Sequence, residues 1–384
     1  MPHPLRALVL GAGYAGQGHA VALRLCGVEI AGMASRTADV GAKVAASLQI
    51  PRYSADWRGL LAELNPDIVA VGTPGGTHVE MISAALDAGC HILADKPLAT
   101  TAADARTLYE QAKTKGVTTA YAASYWYQPQ ALFARDLVGS GTLGRVLEVE
   151  GVSHFNWPAL MPFGWPHRLE SGGGRLNNNF PHKLAIAQNV LGGEVLACMG
   201  ESRNDLKKVP IGPHVHDFRD FAKQAMTPEQ AAKLKWAEVN SDWSYTALLR
   251  IGDPAKSLDE AVSVTFRHSA LRLGRYGDYI AIYGEKGTLH VDGAYMQGPL
   301  YLKTDGPTWE ELAIPLSIRD SLPDEPDHTQ RNWNQLAREF VADIQGRPHP
   351  RYLTFGDGWI YQEVIETIRS NKCWVSTPKS NPVE

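Results

Sequence analysis

The glycine run Gly11-Ala12-Gly13-Tyr14-Ala15-Gly16 directly follows the apolar segment 7–10 and opens the helix-like segment 15–25. In such a GxGxxG turn, the first glycine permits the tight turn and the second lets the backbone approach a pyrophosphate. The third lets the helix pack closely. The helix N-terminus adds free N–H groups and a positive dipole end. This order of elements predicts a dinucleotide site, with Gly11, Gly13, Tyr14, Ala15 and Gly16 as cofactor-binding residues.

Apolar runs alternate with helix-like segments as far as residue 122. The predicted strands are 7–10, 28–34, 68–72, 91–94 and 118–122, and the predicted helices are 15–25, 40–48, 57–64, 79–88 and 102–115. Continuous apolar strands separated by helices are typical of a parallel sheet covered on both faces. Right-handed crossovers make such a sheet doubly wound. The chain is therefore predicted to be α/β, with a Rossmann domain over residues 1–124.

The pattern changes after residue 125. One helix is predicted at 129–140, followed by the longer strands 145–152, 245–251, 261–268 and 279–283, and two closing helices at 332–345 and 357–370. Long strands followed by helices indicate an α+β domain on a large, mostly antiparallel sheet. We predict this second domain over residues 125–384. Pro210, Pro213 and Pro228 with mixed charges mark residues 202–237 as an insertion or flap.

Composition and charge narrow the classes of function that the chain can have. A chain of 384 residues exceeds one ordinary core, and 44% hydrophobic with 20% charged residues is a globular composition. A net charge of −4 argues against nucleic acid or acidic membranes as partners. No apolar stretch reaches the ~18 residues of a membrane span, and no signal-peptide pattern precedes the glycine run. The four cysteines, Cys26, Cys90, Cys198 and Cys373, form no CxxC pair and suit reduced thiols. These features predict a cytoplasmic protein.

The end of the second strand bears on cofactor choice. An NAD site usually has an acid there for the adenosine ribose, about 20 residues after the glycine turn. The sequence here is Met33-Ala34-Ser35-Arg36-Thr37, with no carboxylate. A hydroxyl and a guanidinium suit a 2′-phosphate, so Ser35 and Arg36 predict NADP, with NAD still possible. Alternatively, Ser35 caps the next helix and Arg36 is solvated.

Further motifs follow in order: Thr73-Pro74-Gly75-Gly76-Thr77-His78, Asp95-Lys96-Pro97, Gly172-Gly173-Gly174 with His182, and Gly284-Glu285-Lys286-Gly287-Thr288. With the glycine turn, this set resembles the glucose–fructose oxidoreductase/inositol dehydrogenase (Gfo/Idh/MocA) family. The resemblance covers nearly the whole chain apart from residues 202–237. It implies a Rossmann domain followed by an open-faced sheet domain that often mediates oligomers, here a homodimer or homotetramer.

The resemblance also assigns site residues. Lys96 matches the lysine of the family's Glu-Lys-Pro motif, which lies by the nicotinamide and the substrate hydroxyl, while Asp95 shortens the usual glutamate. His182 matches the family's acid–base histidine. The family's aspartate four residues before it, on the same helix face, is replaced by Asn178, which cannot stabilise an imidazolium as a carboxylate would. Lys96, Asn178 and His182 are thus the predicted catalytic residues.

Two further sets complete the predicted site. The resemblance, and the rule that ligands bind beyond the carboxyl ends of doubly wound strands, add cofactor contacts at Thr73, Pro74, His78, Asp95, Lys96 and Trp165. Substrate contacts are predicted at Lys96, Tyr125, Trp157, Arg168, Asn178 and His182, because aromatic faces suit a sugar-like ring. The same aromatic residues would also serve as core or subunit interface. His214 and His216 have the spacing of a weak metal pair, and no metal site is predicted.

These features predict an enzyme that transfers a hydride between NADP(H) and a secondary alcohol or ketone of a sugar, cyclitol or related ring. Three alternatives remain open. The chain could be a dihydrodiol dehydrogenase for aromatic-derived diols, or an enzyme that recycles a bound cofactor. It could also be a non-catalytic nucleotide sensor on the same fold, which Asn178 leaves possible.

Overall fold

The computed structural model describes residues 4–273 and 277–372. Its first domain contains β1 (Arg6–Leu10), α1 (Tyr14–Leu25), β2 (Glu29–Ala34), α2 (Ala38–Ser47), β3 (Tyr53–Ser54), α3 (Trp57–Leu64), β4 (Ile68–Val71), α4 (His78–Asp87), β5 (His91–Ala94), α5 (Ala102–Lys115) and β6 (Thr119–Tyr121). The six strands are parallel, in the order β3-β2-β1-β4-β5-β6. The predicted doubly wound sheet is confirmed. The sequence analysis missed β3, which has only two half-buried residues.

The helix boundaries of this domain follow from local side-chain bonds. Asp56 accepts a hydrogen bond from the Gly59 amide at the start of α3, and Thr101 accepts one from the Asp104 amide at the start of α5. These N-caps satisfy amides that have no partner within the helix. Helix α5 ends at Gly116, whose φ of +64° is the left-handed conformation that glycine adopts without strain.

The second domain contains α6 (Pro129–Gly139), β7 (Val146–His154), α7 (Arg175–Asn178), α8 (Phe180–Leu191), β8 (Glu194–Arg203), β9 (Lys208–Pro210), α9 (Pro228–Ala231), β10 (Trp236–Glu238), β11 (Ser244–Gly252), β12 (Val262–Ser269), β13 (Tyr279–Gly284), β14 (Thr288–Asp292), β15 (Leu300–Lys303), β16 (Glu310–Leu312), α10 (Leu316–Ser321), α11 (His328–Ile344) and α12 (Phe355–Arg369). Its eight-stranded sheet has the order β16-β15-β14-β13-β7-β12-β11-β8. Only the β7–β12 pair is parallel, so the predicted mostly antiparallel sheet is confirmed.

The predicted insertion forms a small unit between β8 and β11. Strands β9 and β10 pair as an antiparallel ribbon. Val209, Val215, Phe221 and Trp243 bury their side chains in a second, smaller hydrophobic cluster. Because β8 extends to Arg203 and β10 to Glu238, the unit begins and ends slightly later than the predicted 202–237. It therefore has its own core rather than being a bare loop.

The last two helices return to the first domain. Trp333 of α11 packs against Tyr14 with ring centroids 5.0 Å apart, and a Cβ on Gly18 would lie 2.1 Å from the Trp333 ring. Trp359 of α12 stacks on Tyr109 of α5 at 5.5 Å. The domain boundary at 124 and the span 125–384 remain predictions, since these helices join the two sheets into one packed body.

One local prediction is wrong. Asn178 and His182 were expected on one face of a single helix, but α7 ends at Asn178 and α8 begins at Phe180. Asn179 between them has φ −110° and ψ −46°, and Pro181 follows in the first turn of α8. Proline is favoured in a first turn and cannot donate the hydrogen bond of a helix interior, so it starts a new helix here.

Two further observations concern membrane-spanning helices and the cysteines. Among the residues that the structure describes, no helix is long and apolar enough to cross a membrane. Cys26 is half-buried and Cys90 is buried, both as thiols. Cys373 lies outside the described residues.

Candidate active site

The glycine turn has the geometry that a pyrophosphate cradle requires. Gly11 has φ +109°, and a Cβ there would lie 2.8 Å from the Gly72 carbonyl oxygen. A Cβ on Gly16 would lie 1.9 Å from the Gly11 carbonyl oxygen. The first and third glycines are therefore sterically required. The nearest atom to a Cβ on Gly13 would be the His216 carbonyl oxygen of the insertion, at an ordinary contact distance of 3.8 Å.

Ser35 and Arg36, the residues predicted to contact the adenosine end of a cofactor, directly follow β2. Ser35 is half-buried and Arg36 is exposed. The Ser35 carbonyl accepts a hydrogen bond of 2.9 Å from the Tyr53 hydroxyl, which fixes the backbone after β2. Thr37, not Ser35, is the N-cap of α2, so Ser35 does not serve as the cap. These residues fit a nucleotide with a phosphate on its ribose, because they offer a hydroxyl and a cation.

Glycines let the two domains approach each other beyond the ends of β4 and β5. A Cβ on Gly75 would lie 2.8 Å from Pro97, and a Cβ on Gly172 would lie 2.8 Å from the Gly75 amide nitrogen. The Lys96–Pro97 peptide bond is cis. Only a backbone without side chains can pack this closely. The triple-glycine turn of the second domain is thereby set directly against the motifs that follow β4 and β5.

The loop after β4 is held by its own polar groups. A ring nitrogen of His78, Nε2, lies 2.8 Å from the Thr73 carbonyl oxygen. Thr77 donates a hydrogen bond of 2.8 Å to the Thr73 hydroxyl. Burial lowers the pKa of His78, so the ring is neutral. His78 is fully buried and supports the loop, while Thr73 and Pro74 lie at its surface.

Lys96 connects the two domains. Its Nζ lies 3.7 Å from Asp95 Oδ2 and donates a hydrogen bond of 3.4 Å to Asn178 Oδ1. Both members of the ion pair are mostly shielded from solvent. The lysine of one domain is thus oriented by an acid beside it and by an amide of the other domain. This arrangement leaves an ammonium group poised at the carboxyl end of β5.

The structure explains why an amide stands at residue 178. Asn178 Nδ2 donates to the carbonyl oxygens of Gly172 at 3.2 Å and Gly174 at 2.8 Å. A carboxylate at this position would place negative charge against two acceptors, while an amide satisfies both carbonyls and still presents Oδ1 to Lys96. Asn178 therefore fixes the triple-glycine turn and the lysine at once.

His182 lies within an aromatic box. Tyr125 contacts its ring edge-on with centroids 4.8 Å apart, and Tyr295 does so at 5.6 Å. His182 is 9% exposed, and its Nδ1 is buried without a partner among the described residues. Nε2 is therefore the ring nitrogen that a substrate can reach. Burial, then the charges of Lys96 and Arg175, lower the pKa of His182 well below its usual value.

A narrow cleft lies next to this group. Its lining residues come from the triple-glycine region, the loop after β7 and the insertion: Trp157, Pro166, Gly174, Arg175, Asn178, Phe218 and Trp243. Two of the predicted substrate contacts, Trp157 and Asn178, are among them. An aromatic wall with a few polar groups is the usual composition of a small-molecule site.

Two predicted contacts lie elsewhere. Arg168 is exposed, and its guanidinium lies 5.5 Å from the Phe163 ring centroid, away from the cleft lining. Trp165, predicted against the cofactor, packs instead on Phe218 of the insertion with ring centroids 5.6 Å apart. Their roles stay predictions.

The insertion supplies residues that the sequence analysis missed. Arg219 lies over the Tyr14 ring, with its guanidinium carbon 4.7 Å from the centroid, and Asp217 accepts its hydrogen bonds at 2.9 and 2.6 Å. Phe218 contacts both Trp157 and Trp165. The insertion thus reaches from the glycine turn to the cleft. The sequence signal was the mixture of charge and aromatics in a segment outside the recognised motifs.

Other missed residues come from distant parts of the chain. Arg175 lies between Gly174 and Asn178, which belong to recognised motifs, but it was not predicted as a site residue. Tyr295 and His328 contact Tyr125, with ring centroids 4.5 and 5.9 Å apart. No motif identifies them, because only the packing of α11 and the loop after β14 brings them to the site. His214 and His216 have rings 4.6 Å apart, and the described residues contain no group of three metal-ligating side chains.

Two family models match the chain. The first describes an oxidoreductase family with an NAD-binding Rossmann fold, GFO/IDH/MocA, and matches residues 5–123. The second describes the GFO/IDH/MocA C-terminal domain and matches residues 131–290. Together they cover the whole parallel sheet, the second sheet as far as the start of β14, and every predicted catalytic residue.

Individual proteins match more weakly. Levoglucosan dehydrogenase of Pseudarthrobacter phenanthrenivorans is 27% identical over 42% of this chain and 42% of its own length. D-xylose 1-dehydrogenase (NADP(+)) 2 of Haloferax volcanii is 34% identical over 34% of this chain and 40% of its own length. The chain thus spans less than half of these curated relatives. A solved levoglucosan dehydrogenase in complex with NADH and L-sorbose superposes with a TM-score of 0.78 at 19% identity, covering 95% of both chains. That similarity concerns the fold.

Proposed function

The chain belongs to the Gfo/Idh/MocA oxidoreductase family, and we propose that it transfers a hydride between NADP(H) and a secondary alcohol or ketone of a cyclic substrate. The ring is a sugar, a cyclitol or a related compound. One observation carries the proposal. Lys96 of the first domain meets Asn178 of the second at the carboxyl end of the parallel sheet, with His182 close by. Ligands of doubly wound sheets bind at that edge.

The chain's own groups would manage the proton. Bound NADP would supply the hydride acceptor. Neutral His182 accepts a proton at Nε2, because its lowered pKa keeps the ring unprotonated at neutral pH. Lys96 donates to the substrate oxygen and stabilises negative charge that develops there. Asn178 and Asp95 orient the Lys96 ammonium. Tyr125 and Tyr295 shield His182 from water.

The preference for NADP rests on the adenosine end of the crevice. Arg36 makes no hydrogen bond or ion pair within residues 4–273 and 277–372, so its guanidinium is available to a 2′-phosphate. The turn after β2 carries no acid to bind a ribose 2′-hydroxyl and repel a phosphate. One relative is named for NADP and a fold neighbour is crystallised with NADH, so the proposed preference is argued from Ser35 and Arg36 of this chain.

The test is turnover across substrates with both cofactors. The purified chain is incubated with NADP or NAD and a panel of aldoses, ketoses, cyclitols and cyclic diols, and reduced nucleotide is followed at 340 nm. We expect turnover of at least one ring alcohol with NADP at a higher kcat/KM than with NAD. Lys96→Ala measured in parallel shows whether the turnover belongs to this site. No turnover with any member in either direction would contradict the proposal and favour a nucleotide sensor.

A second candidate function is favoured by the insertion. Arg219 over Tyr14, and the His216 carbonyl oxygen facing Gly13, cover the glycine turn from the second domain. A covered cofactor exchanges slowly and would be recycled in place by two substrates in turn. Mass spectrometry of the protein after exhaustive dialysis distinguishes a bound, recycled cofactor from a freely exchanging cosubstrate. Stoichiometric nucleotide after dialysis indicates recycling, and its loss indicates a freely exchanging cosubstrate.

Assembly through the open face of the second sheet is part of the proposal. Met199 of β8 and Leu248 of β11 are cross-strand neighbours on this face and are 44% and 41% exposed. Exposed apolar side chains on a broad sheet suit an interface between copies of the chain. Sedimentation of the wild type and of Leu248→Glu measures the oligomeric state, and dissociation of the variant is expected.

A further inference from the structure

A buried line of hydrogen bonds runs behind the cleft. Lys183 Nζ donates to Ser153 Oγ at 2.5 Å, and Ser153 Oγ lies 2.7 Å from His268 Nδ1. Arg175 Nε donates to His268 Nε2 at 3.2 Å. Because Nε2 accepts, the proton of the neutral His268 ring is on Nδ1 and faces Ser153. All four side chains are buried, and the line ends at Arg175, which lines the cleft.

Arg175 is held in place by its Nε and by two aromatic faces. The guanidinium carbon lies 5.3 Å from the Phe155 ring centroid and 5.6 Å from that of Trp157. Within residues 4–273 and 277–372, neither terminal nitrogen of Arg175 has a hydrogen-bond acceptor. The residue is only 7% exposed. A fixed, mostly buried guanidinium thus presents unused donors at a cleft.

The carboxylates whose charges act on this part of the cleft have hydrogen-bond partners of their own. Asp242 is the carboxylate whose charge acts on Arg175. Its Oδ1 already accepts from Arg369 at 3.0 and 2.8 Å, and its Oδ2 accepts from the Leu176 amide at 2.7 Å. Lys183 lies on the same side, its pKa is lowered by burial to about 7, and Asp278 is the carboxylate whose charge acts on it. Asp278 Oδ1 accepts from the His154 amide at 2.8 Å. Among the described residues, no carboxylate therefore bonds the terminal nitrogens of Arg175.

A buried cation without a partner is costly, and a site that keeps one is built for an anion. We infer that the cleft takes a cyclic alcohol that also bears a carboxylate, and that Arg175 receives this carboxylate. The inference rests on the proposed function and names its substrate class. The planar fork of an arginine matches the two oxygens of a carboxylate. One guanidinium among aromatic rings balances one negative charge, which favours a carboxylate over a phosphate dianion.

The proposed reaction site and the proposed carboxylate site lie along the same cleft. Asn178 bonds Lys96, and Asn178 and Arg175 both line the cleft from α7. A ring bound with its carboxylate on Arg175 therefore presents its other side to Lys96 and His182. The aromatic faces of Trp157 and Phe218 would contact the C–H faces of the ring.

The experiment uses matched rings with and without the acid. Binding to the NADP-loaded full chain is measured by calorimetry for D-glucuronate, D-galacturonate and shikimate, and for D-glucose, D-galactose and myo-inositol. D-glucose 6-phosphate is the phosphate probe. We expect at least one acid to bind tenfold or more tighter than every neutral ring and than the phosphate, in line with a charge-assisted bidentate pair.

Variants test whether the preference for acids depends on Arg175. Arg175→Met should abolish the preference for the acid, measured as the ratio of the Kd values of the matched neutral and acidic rings. Arg175→Lys, which keeps the charge and loses the fork, should restore part of it. Arg145→Met is the matched control, because Arg145 is exposed and paired with Glu285. Circular dichroism and thermal melting check that each variant is folded, and the wild-type panel decides the point if Arg175→Met is not.

The outcomes separate the two proposals. Neutral rings that bind as well as the acids, or an acid preference that survives in folded Arg175→Met, would overturn the carboxylate site. Turnover of a neutral ring by the wild type at a kcat/KM equal to or above that of every acid would overturn it too, while leaving the dehydrogenase proposal standing. Acids that bind selectively without any turnover would support the site and contradict the proposed activity.

Discussion

Lys96 Nζ and Asn178 Oδ1 lie 3.4 Å apart although 82 residues separate them in the chain. The contact joins the strand end of one domain to the short helix of the other. Because each side chain has further partners in its own domain, the contact fixes how the two domains face each other at the site. The proton-handling group is therefore complete only in the folded, two-domain chain.

Replacing Lys96 tests the chemistry. Lys96→Met keeps the length of the side chain and removes its charge and donors. We expect kcat to fall about a hundredfold or more, as for a positioned proton-transfer group, with little change in nucleotide affinity. Steady-state kinetics and calorimetry of NADP binding measure the two effects. Lys113→Met on α5 is the control, and near-full turnover in Lys96→Met would remove Lys96 from the mechanism.

Replacing Arg36 tests cofactor choice. Arg36→Ala should weaken NADP(H) binding by about 1.5–3 kcal/mol, the range for hydrogen bonds to charged groups, and leave NAD(H) binding nearly unchanged. Calorimetry with both nucleotides gives the ratio. The control is Arg52→Ala, because Arg52 is also exposed near this edge but pairs with Glu63. Equal or tighter binding of NAD(H) by the wild type would show the NADP assignment to be wrong.

Replacing Arg219 tests the insertion. Its guanidinium lies on Tyr14 at the glycine turn, so its loss should weaken NADP(H) and NAD(H) alike, by about 0.5–2 kcal/mol for a cation–π contact and its charge. Arg219→Ala differs in this respect from Arg36→Ala, which discriminates between the nucleotides. Lys223→Ala is the control in the same segment, since Lys223 is exposed and pairs with Asp220. Unchanged dissociation rates of NADPH would show that the insertion is only structural.

An acid at residue 178 should change both pH dependence and stability. In Asn178→Asp a negative charge enters beside Lys96, whose positive charge lowers the pKa of His182. The added charge therefore raises the pKa of His182. The acid limb of the pH–rate profile should move to higher pH, measured under conditions in which hydride transfer limits the rate. The variant also loses two donors to the Gly172 and Gly174 carbonyls, at a cost of about 1–3 kcal/mol in the free energy of unfolding.

A matched variant separates charge from disruption. Asn177→Asp adds the same charge one residue away, where Arg369 lies 3.4 Å from the Asn177 side-chain oxygen and would pair with it. We expect a smaller shift of the acid limb there. An acid limb that stays in place in Asn178→Asp would mean that His182 is not the titrating base.

Buried histidines predict loss of stability in acid. Burial lowers the pKa of His19 and of His167 to about 4 from 6.5. The unfolded chain therefore binds more protons between pH 6.5 and 4, and the free energy of unfolding falls as the pH drops through that window. Each contributes a loss of about 2 kcal/mol at pH 5. Urea unfolding at pH 7 and pH 5 measures the loss, which His19→Leu should reduce by about one such contribution.

His19 is suited to this test. Neither of its ring nitrogens has a hydrogen-bond partner among the described residues, and its ring packs on the edge of Trp333 at 5.1 Å. Leucine can occupy this apolar site without leaving a polar group unsatisfied. An equal loss of stability between the two pH values in wild type and His19→Leu would contradict the assignment.

The sequence alone determined the architecture and the motif residues. The glycine turn, the buried strands and the change of pattern after residue 125 each depend on short-range preferences. They predicted the parallel sheet closely and four of the eight strands of the second sheet, namely β7, β11, β12 and β13. The cradle at Gly11 and Gly16 and the cationic turn at Arg36 were predicted for the same reason, because their chemistry lies within a few consecutive residues.

Tertiary structure decided what those residues meet. The break at Asn179, which ended the expected continuous helix, and the bonds from Asn178 to two glycine carbonyls depend on how the triple-glycine turn packs on the first domain. Arg175 gained significance only through His268, 93 residues away, and through the lack of a carboxylate on its terminal nitrogens among the described residues. Local sequence specifies backbone conformation through short-range sterics. Burial and unmet charge are set by contacts between distant segments, and the sequence does not display those contacts.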